Sequence, residues 1–188
     1  MMLTRRPFIA TLAAVAGLAV AATPALAGPP FICHAFELSG SPSMPWGAQR
    51  DAGWKNPDPS YDVAKLTGDV TKLLAGSMPV SARMETMRRA TIYAAKDPRV
   101  AESLLKALEA RAKAEPANAL ALFDAGFLTE AYRQASRVYA WDMLAGREKE
   151  QWTFRTAPTG DGARLIDAAV AMNTADAPEM RKARLLIR

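Results

Sequence analysis

The fold is decided by three prolines in the middle of the chain, in residues 79–116, which read PVSARMETMRRATIYAAKDPRVAESLLKALEARAKAEP. Pro79, Pro98 and Pro116 follow one another at intervals of 19 and 18 residues. The first turn of an α-helix tolerates proline because the backbone nitrogen there has no intrahelical acceptor. Asp97, directly before Pro98, is also a favourable N-cap. Each proline therefore predicts the start of a helix.

Apolar residues recur at three- and four-residue steps behind these prolines, which predicts amphipathic helices with one face turned to a core. In the helix that follows Pro79, we expect the basic residues to lie on the other faces, in solvent or against an acidic partner. The stripe after Pro79 consists of Val80, Met84, Met87, Thr91 and Ala94, and the stripe after Pro98 of Val100, Leu104, Leu105, Leu108 and Ala112.

The same signals extend outward from this central stretch in both directions. They predict helices over residues 61–75, 79–94, 97–112, 116–146, 163–172 and 176–187. Gly126 is expected to kink or divide the long fourth helix. The polar segment 146–162 ends in Gly160-Asp161-Gly162 and is predicted to be a loop. The fold class is therefore mainly α, with antiparallel helix hairpins forming one domain over residues 61–188.

Residues 28–60 differ in composition from the helical part. They contain six prolines and four glycines, which argue against a long helix or a central strand. They also contain the aromatic residues Phe31, Phe36, Trp46 and Trp54, which a freely disordered linker would lack. We therefore predict an irregular arm whose aromatic side chains pack onto the helices, with one short strand over residues 31–38.

The first 27 residues have the three-part pattern of a cleavable signal peptide. A short basic start contains Arg5 and Arg6, an uncharged apolar run follows, and Ala25-Leu26-Ala27 suits cleavage after Ala27. The apolar run is shorter than a stable membrane anchor requires. We therefore predict a periplasmic or secreted protein, with retention of an uncleaved N-terminus in the membrane as the alternative.

The motif Thr4-Arg5-Arg6-Pro7-Phe8-Ile9 resembles a twin-arginine export signal. The Ala-rich run behind it and Pro24 before the cleavage site are also similar to this class, whereas Ala10 stands where many such signals carry lysine. The resemblance implies a bacterial protein that folds before it crosses the membrane. An ordinary Sec signal that happens to contain two arginines is the alternative.

Composition limits the kinds of partner that the processed protein can have. Half of the residues are apolar and 23% are charged, as in ordinary globular proteins. Without Arg5 and Arg6 the chain has 22 basic and 19 acidic residues, a net charge of +3. This charge is too small for a nucleic-acid-binding footprint. We therefore expect no nucleic-acid partner and no stable membrane anchor after cleavage.

The spacing of the prolines is also the basis of a resemblance. Two helices in roughly 37 residues is the period of a helix-hairpin repeat. Ala82 and Ala119, like Ala94 and Ala131, fall one such period apart. In this respect the chain resembles tetratricopeptide and related α-solenoid proteins, although their signature Trp, Leu-Gly and Tyr positions are not repeated. The resemblance implies a short stack of helix hairpins with a concave surface.

Cys33 and His34 are the adjacent pair with the clearest chemical potential. The chain has a single cysteine and a single histidine, which excludes an internal disulfide and any site with two histidines. An exported thiol suggests a soft-metal ligand pair, a reactive thiol or an intermolecular disulfide. A buried cysteine beside a surface histidine is the simpler interpretation. No cofactor is predicted otherwise.

The function predicted from these features is that of a non-enzymatic helical scaffold of the bacterial cell envelope. The chain contains no Gly-x-Ser-x-Gly elbow and no phosphate-binding glycine loop. We expect a protein or peptide partner on a face containing Arg88, Arg89, Tyr132 and Tyr139. The alternative is a small metal-binding or redox-active periplasmic protein that uses Cys33 and His34.

Overall fold

The structure, a computed structural model, describes residues 30–47, 55–95, 97–144 and 158–187, with side chains of the fourth helix described as far as residue 138. The described residues are mainly helical and contain no β-strand, which confirms the predicted fold class. Their six helices are α1 (Leu66–Ala75), α2 (Val80–Ala94), α3 (Pro98–Ala114), α4 (Ala119–Leu144), α5 (Gly162–Met172) and α6 (Ala177–Leu186).

The helix starts follow local capping chemistry. Pro98 is the first residue of α3, and the side chain of Asp97 accepts a hydrogen bond from the amide of Arg99 at 2.9 Å. Pro79 is the N-cap of α2. α4 begins three residues after Pro116, because Asn118 accepts hydrogen bonds from two amides of the first turn. Pro116 therefore precedes the helix that it was expected to open.

Helix α2 is at the centre of the molecule. Thirteen of its fifteen residues are buried, and it packs against α1, α3, α4 and α6. The prediction of an amphipathic α2 with a solvated basic face is therefore wrong, because neighbours cover the helix on every side. Helix α6 also contacts α2, so the last described helix packs against the central helix of the bundle. The repeat relationship to solenoid proteins stays a prediction.

Helix α4 runs through Gly126 without interruption and packs most extensively against α5. Gly126 faces Gly162, the first residue of α5. A Cβ atom at Gly126 would lie 2.6 Å from the carbonyl oxygen of Gly162, closer than real Cβ atoms approach backbone. Gly126 is therefore needed for a close crossing of two helices, and the predicted division of the helix at this residue is wrong. The kink stays a prediction.

The described part of the arm lies across α2 and α4. Phe31, Ile32 and Met44 are buried in the core, and the Phe31 ring is 4.8 Å from that of Phe127 in α4. Residues Phe31–Cys33 form a turn of 3-10 helix, so the strand predicted over residues 31–38 is wrong. The backbone of this segment bonds to side chains of α2 instead of to a neighbouring strand.

Several predictions concern residues outside those that the structure describes. They are the signal over residues 1–27 with Arg5, Arg6 and cleavage after Ala27, and the packing of Trp54. Most of the predicted loop over residues 146–162 also lies outside them. Among the described helices, none has the length and hydropathy that a membrane crossing requires.

Candidate functional site

A carboxylate of α2 fastens the arm to the helical body. Glu85 is fully buried, and its Oε2 atom accepts hydrogen bonds from the Phe36 amide at 2.9 Å and from Arg88 Nε at 2.8 Å. Its Oε1 atom accepts from Arg88 at 2.8 Å and from Arg89 Nε at 2.7 Å. Each carboxylate oxygen therefore has two donors. One of the four is the arm amide of Phe36, and the other three are guanidinium N–H groups of Arg88 and Arg89.

The two arginines extend this fastening to further points of the arm. Arg88 donates to the carbonyl oxygen of Ile32 at 3.2 Å, and Arg89 donates to that of Met44 at 2.7 Å. Both guanidinium groups also lie over the ring of Trp46, at 5.0 and 5.3 Å from its centroid. We call Glu85, Arg88 and Arg89 the arm clamp, since together they hold both ends of the segment 32–46.

The charges around Glu85 determine its protonation. Burial alone would raise the pKa of Glu85. The hydrogen bonds and positive charge of Arg88, the amide of Phe36 and the hydrogen bond from Arg89 outweigh burial, so the pKa of Glu85 is lowered from its ordinary value. Glu85 is therefore ionised at neutral pH, and its negative charge compensates the positive charges of Arg88 and Arg89 beside it.

A second buried ion pair joins α2 to α4. Arg83 and Asp124 form two parallel hydrogen bonds, at 2.8 and 2.5 Å, and both side chains are almost fully buried. Arg83 also donates to the carbonyl oxygen of Leu74 at 2.6 Å, at the end of α1. Burial raises the pKa of Asp124, and the two arginines near it, Arg83 and Arg111, act in the opposite direction. This pair connects three helices.

Two open grooves lie between the arm and the helices, and Tyr61 lines both of them. The first, which we call the tyrosine groove, has a volume of about 300 Å³. The second has a volume of about 410 Å³ and lies between the arm and the loop that joins α1 to α2. The lining of the tyrosine groove is mostly apolar and aromatic but includes two carboxylates; it consists of Pro57, Asp58, Pro59, Tyr61, Val63, Ala64, Ile92, Tyr93, Asp97 and Val100.

The two tyrosines of the tyrosine groove have fixed hydroxyl groups. The Tyr93 hydroxyl donates to the carbonyl oxygen of Pro45 at 2.8 Å and accepts from the amide of Asp58 at 2.8 Å. The Tyr61 hydroxyl donates to Asp69 at 2.7 Å. Burial raises the pKa of both tyrosines, so both hydroxyl groups stay protonated. The rings, 4.8 Å apart, are therefore held in place before any partner binds.

The structure does not bring the predicted partner-binding residues together on a surface. Arg88 is 1% exposed and Tyr132 is 2% exposed, so neither can contact a partner without unfolding. Arg89 is half-buried and belongs to the arm clamp. The side chain of Tyr139 lies outside those that the structure describes. The predicted face is therefore wrong for Arg88 and Tyr132.

Sequence reasoning missed both the arm clamp and the tyrosine groove. Glu85 precedes Arg88 and Arg89 by three and four residues, a spacing that predicts ion pairs on one side of a helix. That signal was visible, but it does not distinguish an exposed pair from a buried one. Tyr61 and Tyr93 are 32 positions apart in the sequence, and no local pattern connects them.

The structure separates the environments of Cys33 and His34. Cys33 is half-buried and packs against the core, whereas the neighbouring His34 is exposed. Within the described ranges, no group of three or more His, Cys, Asp or Glu side chains is arranged to hold a metal ion. The metal or redox role of these two residues stays a prediction.

Comparison with protein-family models, with curated proteins and with solved structures finds no match to this chain.

Proposed function

We propose that the protein is an exported helical binding protein of the bacterial cell envelope, and that it holds a protein or peptide partner in the tyrosine groove. The observation that carries this proposal is an open groove lined by tyrosine, proline and aliphatic side chains together with Asp58 and Asp97. Its Tyr93 ring contacts Trp46, over which both arginines of the arm clamp lie. The site lies on the surface that the arm forms with α2, instead of on the basic and aromatic face predicted from the sequence.

The chemistry of the tyrosine groove favours an extended, apolar segment of a partner. Aromatic-lined grooves recognise extended and proline-rich peptides because flat rings pack well against chains that carry little conformational entropy. A volume of about 300 Å³ accommodates a few side chains and lies at the lower end of the range for small-molecule pockets. Since hydrogen bonds already fix Tyr61 and Tyr93, little ordering is needed on binding.

Location in the cell envelope is supported by the N-terminal sequence. The basic start, the apolar run and the Ala25-Leu26-Ala27 site agree with export. We expect mass spectrometry of the protein from the periplasmic fraction to find Gly28 at its N-terminus. Changing Arg5 and Arg6 together to lysine keeps the charge, so a Sec signal would still work, whereas a twin-arginine signal would fail. Protein that remains uncleaved in the membrane would contradict the proposal.

Selection from a displayed peptide library on the purified protein tests the groove itself. Peptides selected on the wild type should lose about tenfold or more in affinity on Tyr61→Ser, as expected for an aromatic residue at the centre of a binding site. The matched control is Lys106→Ser, an exposed position on α3 outside the groove lining, which should bind as the wild type does. Equal affinity of both variants, with unchanged thermal stability, would place the binding site elsewhere.

A further inference from the structure

Helix α6 has apolar side chains on the face that it does not bury. Its inner face consists of Ala177, Met180 and Ala183, and Ile187 continues it directly after the helix. Leu185 and Leu186 lie outside this set and are 60% and 44% exposed. Among the described residues, the only other large hydrophobic side chain exposed to this degree is Met172, at 46%. The two leucines therefore do not contribute to the core.

Two exposed cations lie one helical turn before the leucines. Arg181 and Lys182 precede Leu185 and Leu186 by four residues each, which places the four side chains on one side of α6. The helix contains a single acidic residue, Glu179, in its first turn. We call Arg181, Lys182, Leu185 and Leu186 the α6 patch.

The α6 patch is held rigidly on the body of the protein. Gln134 of α4 donates a hydrogen bond to the carbonyl oxygen of Leu186 at 3.0 Å. Arg184 on the neighbouring side of the helix pairs with Asp167 of α5 at 3.0 Å. The helix backbone that carries the cations and leucines of the patch is therefore already in place on the body of the protein.

We propose that the α6 patch docks reversibly on the surface of a bilayer that contains anionic phospholipid. Exposed leucines beside lysine and arginine are the combination by which amphipathic helices lie in the headgroup region, with apolar side chains inserted and cations at the phosphates. The ten residues of α6 extend about 15 Å, half of the hydrocarbon thickness, so the helix lies on the surface and does not span it.

Charge favours a lipid surface over a second copy of this chain. A two-fold dimer formed through the α6 patch would bring the Arg181 and Lys182 side chains of both copies into one small interface, in which the patch supplies no carboxylate and like charges repel. Two leucines also cover much less than the area of about 800 Å² per partner that a stable interface buries. An anionic bilayer supplies both the opposite charge and an apolar interior.

Vesicle binding tests the proposal with protein purified from expressing cells. Binding is compared on vesicles of phosphatidylcholine alone and of an equimolar mixture of phosphatidylcholine and phosphatidylglycerol. The wild type should bind the mixed vesicles and should bind them less as salt concentration rises. Leu185→Ser with Leu186→Ser should lower the partition coefficient on mixed vesicles by about tenfold or more. Arg181→Gln with Lys182→Gln should lower it by about tenfold or more on mixed vesicles only.

The matched control is Met172→Ser, which removes an equally exposed apolar side chain at the far end of α5 and should leave binding unchanged. All variants share the same N-terminus, so differences between them report on the α6 patch alone. The proposal is overturned if the wild type does not bind the mixed vesicles or if the leucine variant binds them as the wild type does. A dimer in sedimentation velocity that the leucine variant abolishes would overturn it in favour of a second copy.

Discussion

Replacing Glu85 by glutamine perturbs the arm clamp with almost no change in side-chain volume. In the wild type each carboxylate oxygen accepts two hydrogen bonds, one of which comes from the Phe36 amide and three from the guanidinium groups of Arg88 and Arg89. Glutamine keeps one oxygen and replaces the other with an NH₂ group. Whichever orientation it adopts, two donors then face another donor.

The expected loss of unfolding free energy follows from the two hydrogen bonds that glutamine cannot accept. A hydrogen bond to a charged group contributes about 1.5–3 kcal/mol, so the loss of two such bonds predicts about 3–6 kcal/mol. Breaking a buried ion pair by removing one partner costs about 3–5 kcal/mol, which agrees with the first value. Because a domain of this size is stable by only about 5–15 kcal/mol, we expect Glu85→Gln to lower the free energy of unfolding by about 3–5 kcal/mol.

Urea unfolding followed by circular dichroism at 222 nm measures this loss, and hydrogen exchange of residues 31–46 shows where it acts. The midpoint should fall with little change in slope, and the arm amides should exchange faster than those of α4. Glu102→Gln is the matched control, because Glu102 pairs with Lys106 but both side chains are mostly exposed. That change should leave the urea midpoint almost unchanged, because solvent screens an exposed ion pair.

Equal stability of Glu85→Gln and Glu102→Gln, within about 0.5 kcal/mol, would contradict a buried arm clamp. That result would mean that solvent reaches Glu85, so that the arm does not cover α2 in solution. Faster exchange in all helices alike would also contradict a clamp that acts on the arm.

Three further predictions concern pH, helix crossing and the tyrosine groove. The pKa of Glu85 is lowered in the folded state, so its contribution is complete above its unfolded pKa of about 4.3 and is lost as pH falls through the folded value. The stability difference between wild type and Glu85→Gln, from urea midpoints at pH 7 and at about pH 3, should therefore shrink in acid. Gly126→Ala should destabilise by about 1–3 kcal/mol in thermal unfolding, since its Cβ would meet Gly162, whereas Gly68→Ala, in open space within α1, should stabilise by about 0.5–1 kcal/mol. If Gly126→Ala did not destabilise the protein, the close α4–α5 crossing would be wrong. Tyr93→Phe should cost about 1–3 kcal/mol and accelerate exchange of the Asp58 amide, because that amide and the Pro45 carbonyl lose their shared partner. Unchanged exchange of this amide would show that the hydroxyl does not bridge the two segments.

The helical class and the approximate helix limits could be predicted from the sequence because they depend on neighbours within one turn. Asp97 and Pro98 start α3 through a side chain and a ring that act on the next two or three residues. The apolar stripe of α3 also predicts its buried face, since Leu104 and Leu108 are both fully buried. Helix starts and apolar stripes of this kind depend only on residues that are close together in the sequence.

Local sequence patterns could not predict that the charged residues of α2 are buried. Arg83 and Arg88 look like surface residues, because burial of an unpaired guanidinium group is prohibitive. Burial becomes possible only when Asp124, 41 positions away, and the backbone of Ile32, 56 positions away, supply acceptors. The tyrosine groove likewise depends on an arm that returns to the helices, and the crossing at Gly126 depends on α5. Helix positions are therefore a local property of this sequence, whereas burial of charge and the shape of the site depend on which distant segments meet, and only the packed structure determines that.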